Sequence, residues 1–275
     1  MLLAVNPKFT TIANACKIAG LAYFGNVSHS AKLMKTQKMR HELTYGIYLA
    51  PAELSGRNIC PGASEYCKAA CLNLSGRARI ETNNRIYNAR IKKTKLFFAY
   101  NTFIMDWITA EIRAYKAKAD RLGYSFSIRI NCTSDLDISK YRNSAGLNVL
   151  EQFPTIQVYD YTKVFSRIKL LEKYPNYDLT YSYNGLNFSK CVAALNTGVR
   201  VAMVFEKRLP AYYRNIPVVN GDLYDIRYVD PKNAIVGLVF KHVRNKINLN
   251  NTPFVISEHD TLRSEQLRPI TITVN

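Results

Sequence analysis

Between Tyr124 and Asn131 the chain alternates, with Tyr124, Phe126, Ile128 and Ile130 on one side and Ser125, Ser127, Arg129 and Asn131 on the other. A period of two is that of a β-strand with one face in a core. Strand-like runs recur at TIQVYD (155–160), YDLTYSY (177–183), VRVAMVF (199–205) and AIVGLVF (234–240), and LTYGIYLA (43–50) precedes them all. Helix-like segments lie between several of them, at VFSRIKLLEKY (164–174) and FSKCVAALNTG (188–198). Gly198 closes the second as a C′ residue. Two more helices are expected at about 79–98 and 102–119, the latter with Phe103, Trp107, Ile108, Ile112 and Tyr115 on one face. The strands beginning at 124, 155, 177 and 199 start 22 to 31 residues apart, the length of a βα unit. The class is therefore α/β, with a largely parallel sheet, open or closed into a barrel.

Length bears on domain count. A chain of 275 residues exceeds the usual ~100–150 of one domain, but (β/α) barrels of ~250 form single units. No low-complexity linker or internal repeat divides it. The expectation is one (β/α) barrel-like domain over 1–275, complete or incomplete, with 1–40 as a basic, helical N-terminal extension. Met1 to Val5 is too short for a signal h-region and is interrupted by Asn6, Pro7 and Lys8. No run approaches the ~20 apolar residues of a membrane helix. A soluble protein of a reducing, cytoplasmic compartment in a bacterial host is expected.

Chemistry enters with NICPGASEYCKAACLNLSGR, which places Cys60, Cys67 and Cys71 within twelve residues. Thiolates gathered by so short a segment suit zinc or an iron–sulfur cluster. The spacing Cys-x6-Cys-x3-Cys is neither that of a zinc ribbon nor that of a thioredoxin pair. Pro61, Gly62 and the small residues Ala63, Ser64, Ala69 and Ala70 leave room for an inorganic cluster. Three thiolates favour a [4Fe–4S] cluster with one open iron, or its [3Fe–4S] product. His41 or His29 would instead complete a zinc site, and three buried or paired cysteines are the plain alternative. Cys16, Cys132 and Cys191 read as ordinary buried thiols.

In parallel α/β folds the chemistry gathers at the C-terminal ends of the strands. The cysteine segment follows the strand at 43–50. Asn131, Thr133, Ser134 and Asp135 follow the next, and Asp160, Tyr161, Thr162 and Lys163 the one after. Ser182 and Asn184, then Glu206 and Lys207, follow two more. One shared cavity is expected, lined by Arg129, Asn131, Ser134, Asp135, Asp160, Lys163 and Ser182. Asp135 and Asp160 are candidate general bases and Lys163 a candidate partner for a carboxylate or phosphate. Arg129, Asn131, Ser134 and Ser182 are the candidate cofactor contacts. Asp222, Asp225 and Asp230 read as a turn scaffold with Gly221.

A net charge of +18 adds attraction to polyanions. Lys32, Lys35, Lys38 and Arg40 form one basic run; Arg77, Arg79, Arg85, Arg90, Lys92, Lys93 and Lys95 form another. They flank the cysteine segment, so DNA or RNA is a candidate partner. Generic solubility is the alternative.

Taken in order, LSGRNICPGASEYCKAACL, NARIKKTKLF, IRINCTSDLD, YDYTK, NYDLTYS and VVNGDLYDIRYVDPKNAIVGLVFK resemble a group of bacteriophage and plasmid proteins known as the gene-product-88-like family. The resemblance covers about residues 35 to 255. That family in turn looks distantly like the radical SAM superfamily, in which a three-cysteine loop after the first barrel strand holds a [4Fe–4S] cluster. The resemblance implies a phage or mobile-element protein and makes S-adenosylmethionine a candidate cofactor. The gaps of six and three differ from that superfamily's usual three and two, and no Gly-Gly-Glu run follows the next strand. Two function classes result: an iron–sulfur enzyme, radical SAM-like or otherwise redox-active, and a basic nucleic-acid-binding protein whose metal is structural.

Overall fold

A computed structural model describes residues 11–28, 30–71, 83–241 and 252–266. Its principal elements are, in order, α1 (Ile12–Ala19), β1 (Gly25–Asn26), α2 (Ala31–Arg40), β2 (Glu42–Ile47), α3 (Glu65–Ala69), α4 (Arg85–Ala99), α5 (Asn101–Leu122) and β3 (Ser125–Arg129). Then come β4 (Gln157–Thr162), β5 (Tyr177–Ser182), α6 (Phe188–Asn196), β6 (Arg200–Phe205), β7 (Tyr212–Tyr213), β8 (Ile216–Asn220), β9 (Ile235–Val239), β10 (Val255–Ile256) and α7 (Glu258–Gln266). The chain divides into two compact units.

The first unit comprises 1–61, 81–160 and 169–178. Its strands run β1-β2-β3-β4, with β1 antiparallel to β2 and the others parallel. Every residue of β2 is buried, as expected of a parallel strand covered on both faces. Helix α5 covers this unit with Phe103, Ile104, Trp107, Ile108 and Ile112, all buried, and Tyr115 half-buried at its margin. Gly123 ends it at φ 65, where a Cβ would be strained. Buried beside the apolar face is a polar knot. The Glu111 carboxylate accepts the N–H groups of Phe24 (2.9 Å) and Gly25 (2.8 Å) and the Tyr45 hydroxyl (2.6 Å), while Lys93 Nζ donates to the Phe24 carbonyl at 2.7 Å. These bonds fix the short strand β1 and compensate the two buried charges.

The second unit comprises 62–80, 161–168 and 179–275. Its strands run β5-β6-β9-β8-β7, parallel except for the β7–β8 pair, and β10 adds to β6. The core holds Tyr181, Val201, Met203, Phe205, Ile235 and Val236, with Cys191 and Ala194 from α6. Arg227, fully buried, pairs with Asp230 at 3.2 Å, and Arg200 Nε donates to the Asp230 carbonyl at 2.8 Å. Asp222 accepts the Val239 N–H at 2.8 Å.

The α/β class and the strand positions follow the sequence pattern. Among the described residues β1 has β2 as its strand neighbour and β7 has β8, so each unit's row ends in an edge. The helix expected at 164–174 is replaced by a 3-10 turn at Phe165–Lys169 and a single α-turn at Leu170–Lys173. Pro175 disfavours the helical conformation at Tyr174 and stops the turn there. The helix expected at 79–98 is seen from Arg85; 79–82 lie outside the described residues.

Candidate metal centre at the strand ends

In the first unit the cysteine segment begins where β2 ends. The loop after Ala50 closes on itself through Leu54 N–H to the Pro51 carbonyl (3.2 Å), Gly56 N–H to Glu53 (2.8 Å) and Ile59 N–H to Ala52 (3.1 Å). Closure turns the Ala52 N–H onto Cys60 Sγ at 3.3 Å, and Cys60 N–H donates to Asn58 Oδ1 at 2.9 Å. The loop after β3 braces this arrangement. Cys132 N–H donates to the Ile47 carbonyl (3.1 Å), Thr133 Oγ1 to Leu49 (2.6 Å) and Asp135 N–H to Ile59 (2.9 Å).

The brace is itself held from β4. Asp160, with no exposed surface, accepts the Asn131 N–H (2.9 Å) at one oxygen. Its other oxygen accepts Asn131 Nδ2 (2.8 Å) and the Tyr177 hydroxyl (3.0 Å). Asn131 Oδ1 then accepts Ser134 Oγ (2.8 Å) and Leu136 N–H (2.9 Å). Asn131, Ser134 and Asp160 are thus joined by hydrogen bonds, and Asp135 follows in the same loop. With both oxygens occupied, Asp160 is a positioning residue in this arrangement: it holds the loop that holds Ile59 and Cys60. Arg129, half-buried, ends β3, and its carbonyl accepts Cys132 Sγ at 3.4 Å.

In the second unit the rest of the segment is tied to the ends of β4 and β5. Gly62 packs so closely that an added Cβ would lie 2.6 Å from the Lys163 carbonyl carbon and oxygen. Its own carbonyl accepts Asn184 Nδ2 at 2.9 Å. Ser64 Oγ donates to the Asn184 carbonyl and accepts the Cys67 N–H at 3.1 Å, capping α3. Asn187 steadies Asn184 by accepting its N–H (2.8 Å) and donating to the Tyr181 hydroxyl (3.0 Å) and Ser182 carbonyl (3.1 Å). Cys67 lies in α3, and Cys71 follows its C-cap Ala70, the Cys71 N–H donating to the Lys68 carbonyl at 3.3 Å. Ser182 is buried and enters through its carbonyl; Lys163 is half-buried and enters through its backbone.

Cys60, Cys67 and Cys71 are all half-exposed. Cys191 differs: it is buried, and burial pushes its thiol up to about 12. Cys16, within α1, and Cys132, in the loop after β3, read from sequence as buried, are half-exposed, their sulfurs donating to the Ala22 (3.0 Å) and Arg129 carbonyls. Thiols are iron–sulfur ligands in chemistry, and one backbone N–H, that of Ala52, is already aimed at Cys60 Sγ. Among the described residues no three His, Cys, Asp or Glu side chains stand together as a ready metal site. His41 is exposed at the C-cap of α2, with its ring on Tyr124 at 5.3 Å, and His29 lies outside the described residues.

The basic run on α4 is partly turned inward. Lys93 is buried over the Tyr23 ring at 4.3 Å, and burial lowers it to about 8. Lys92 Nζ donates to the Gly20 carbonyl at 2.6 Å. Arg85 and Lys95 remain exposed; Arg77 and Arg79 lie outside the described residues. The sequence marks Asn184 only as a polar strand end, and nothing in it marks Tyr177 or Gly62 as holding the site, since their partners are distant in the chain.

The family model described as Gene product 88 matches residues 13–253, and the chain belongs to that family. No curated protein and no solved structure matches it.

Proposed function

We propose that this member of the Gene product 88 family is an iron–sulfur enzyme in which Cys60, Cys67 and Cys71 hold a [4Fe–4S] cluster, in the manner of the radical SAM superfamily. The observation that carries the reading is the way the cysteine segment is fastened. Its first half is bonded to the loop after β3 and its second to the ends of β4 and β5, the ends at which parallel α/β folds bind ligands. The barrel-like closure expected from the strand spacing belongs to this proposal.

When bound, such a cluster supplies an electron and an open iron for a cofactor, with S-adenosylmethionine the candidate. The protein's own groups do the rest. Asp160 and Asn131 hold the loop that carries Ser134 and Asp135. In this reading Asp135, 7% exposed, takes a proton from a bound substrate and Lys163 pairs with a substrate carboxylate or phosphate. Ser134, Ser182 and Arg129 complete the polar lining. Anaerobic protein should be brown, contain iron and sulfide, and lose both on replacement of any of the three cysteines. Colourless protein, or protein with stoichiometric zinc, would overturn the reading.

A second reading, contact with DNA or RNA, is favoured by Lys35, Lys38 and Arg40, exposed on and beside the last turn of α2. Neutralising the three should weaken binding to duplex DNA and lower its log–log salt slope by about 0.9 for each phosphate no longer neutralised. An unchanged slope would remove α2 from any such surface. Among the described residues no helix is long and apolar enough to cross a membrane.

A further inference from the structure

Within the first unit, the loop before Cys60 and the C-terminal turns of α4 flank an open cavity of about 180 Å³ lined by Ser55, Arg57, Thr94, Lys95, Phe98 and Ala99. That is below the roughly 300–1,000 Å³ of clefts for drug-sized ligands, and suits one small polar group. Its charge is positive. Arg57 lies over the Phe98 ring at 5.0 Å, which holds its guanidinium in place, and Lys95 enters from α4. Among the described residues neither cation forms an ion pair. The nearby acid Asp137 is engaged elsewhere, accepting Ser139 Oγ at 2.6 Å and lying 3.5 Å from Lys140 Nζ.

Ser55 Oγ supplies a second, independent observation. It is buried and has no hydrogen-bond partner among the described residues. A buried hydroxyl without a partner is costly, and a bound acceptor would relieve that cost. Thr94 competes little for such a ligand: its hydroxyl donates to the Arg90 carbonyl (2.8 Å) and accepts the Ala50 N–H (2.8 Å), fixing the wall. A hydroxyl donor, a guanidinium and an ammonium around a small cavity match the oxygens of one phosphate group.

The geometry points to a phosphate-binding subsite formed by Ser55, Arg57 and Lys95. The ligand is a phosphate mono- or diester, carried by a nucleotide or by a nucleic-acid backbone. The subsite does not depend on a cluster being present. Because Arg57 is three residues before Cys60, it would place the phosphate at the start of the cysteine segment.

The test uses the full chain, with iron content measured for every variant. Two probes separate the sources: adenosine 5′-monophosphate followed by calorimetry, and a fluorescent single-stranded oligonucleotide without terminal phosphates followed by anisotropy. The Arg57→Gln/Lys95→Gln double variant should weaken the binding probe at least about tenfold. Ser55→Ala, which leaves the charge unchanged, should weaken it about two- to tenfold. If the oligonucleotide is the ligand, the double variant's salt slope should also fall by about 0.7, the single-strand value for the one phosphate the subsite neutralises. Binding of the mononucleotide alone assigns a small phosphorylated ligand; binding of the oligonucleotide alone assigns a phosphodiester. Failure of both probes to bind, or affinity unchanged in both variants, would overturn the subsite.

Discussion

Replacing Asp160 by Asn removes a charge and changes one acceptor into a donor at the centre of the brace. In the native arrangement three donors converge on its carboxylate, at 2.9, 2.8 and 3.0 Å, with no exposed surface. An Asn side chain can still accept the Asn131 N–H, and the Tyr177 hydroxyl can turn to accept. The amide of Asn131 then faces another amide donor. Loss of one hydrogen bond to a charged acceptor costs about 1.5–3 kcal/mol, and the surviving bonds fall to neutral strength, so Asp160→Asn should cost about 3 kcal/mol. Tyr177→Phe, which deletes one donor, should cost about 1 kcal/mol. Trp107, the single tryptophan, is buried in the same unit, so its fluorescence in a urea titration reports the change directly. The midpoint should shift with little change in slope. Asp160→Asn within about 0.5 kcal/mol of wild type, or Tyr177→Phe costing more than Asp160→Asn, would refute the assignment of Asp160 as the residue that holds this loop.

Gly62→Ala should destabilise by roughly 1–3 kcal/mol and lower iron content, because its Cβ would meet Lys163 backbone that has no room to yield; normal iron loading would contradict the docking described. Lys93, held at about 8 by burial, binds fewer protons in the folded than in the unfolded chain between pH 8 and its ordinary value of 10.5. Wild type should therefore gain stability over Lys93→Met, by roughly 1–3 kcal/mol, as pH rises through that window, and parallel pH profiles would count against the buried ammonium. Ser64→Ala should cost about 1 kcal/mol through loss of the helix cap and loosen Cys67, seen as faster thiol alkylation of the cluster-free protein; alkylation at the wild-type rate would refute the capping role.

The strands were legible because most are buried in parallel rows, where apolar runs and a βα spacing survive any detail of packing. The cysteine segment was legible as a segment, since its residues are neighbours in the chain. The polar knots were not. Lys93 lies in a run of basic residues and reads as solvated, and its burial depends on Glu111 and the Phe24 carbonyl, which approach only when α4, α5 and β1 pack. Asp230 reads as a turn residue for the same reason: only its pairing with buried Arg227 and the bond from Arg200, on β6, reveal it as core. Asn131 and Asp160 carried a period and a place at strand ends, which located them. Their mutual bonding, which makes Asp160 a support, came from the register of β3 and β4.

The cluster assignment is tested most directly by iron, sulfide and electron paramagnetic resonance measurements on anaerobically purified protein. Wild type should be compared with Cys60→Ala, Cys67→Ala, Cys71→Ala and Cys16→Ala. Wild type and Cys16→Ala should carry about four irons and about four sulfides per chain, with the signal of a reduced [4Fe–4S] centre that passes to [3Fe–4S] in air. Each of the other three variants should lose the centre. Iron-free wild type, zinc in its place, or a cluster that survives loss of Cys60, Cys67 or Cys71 would contradict the assignment.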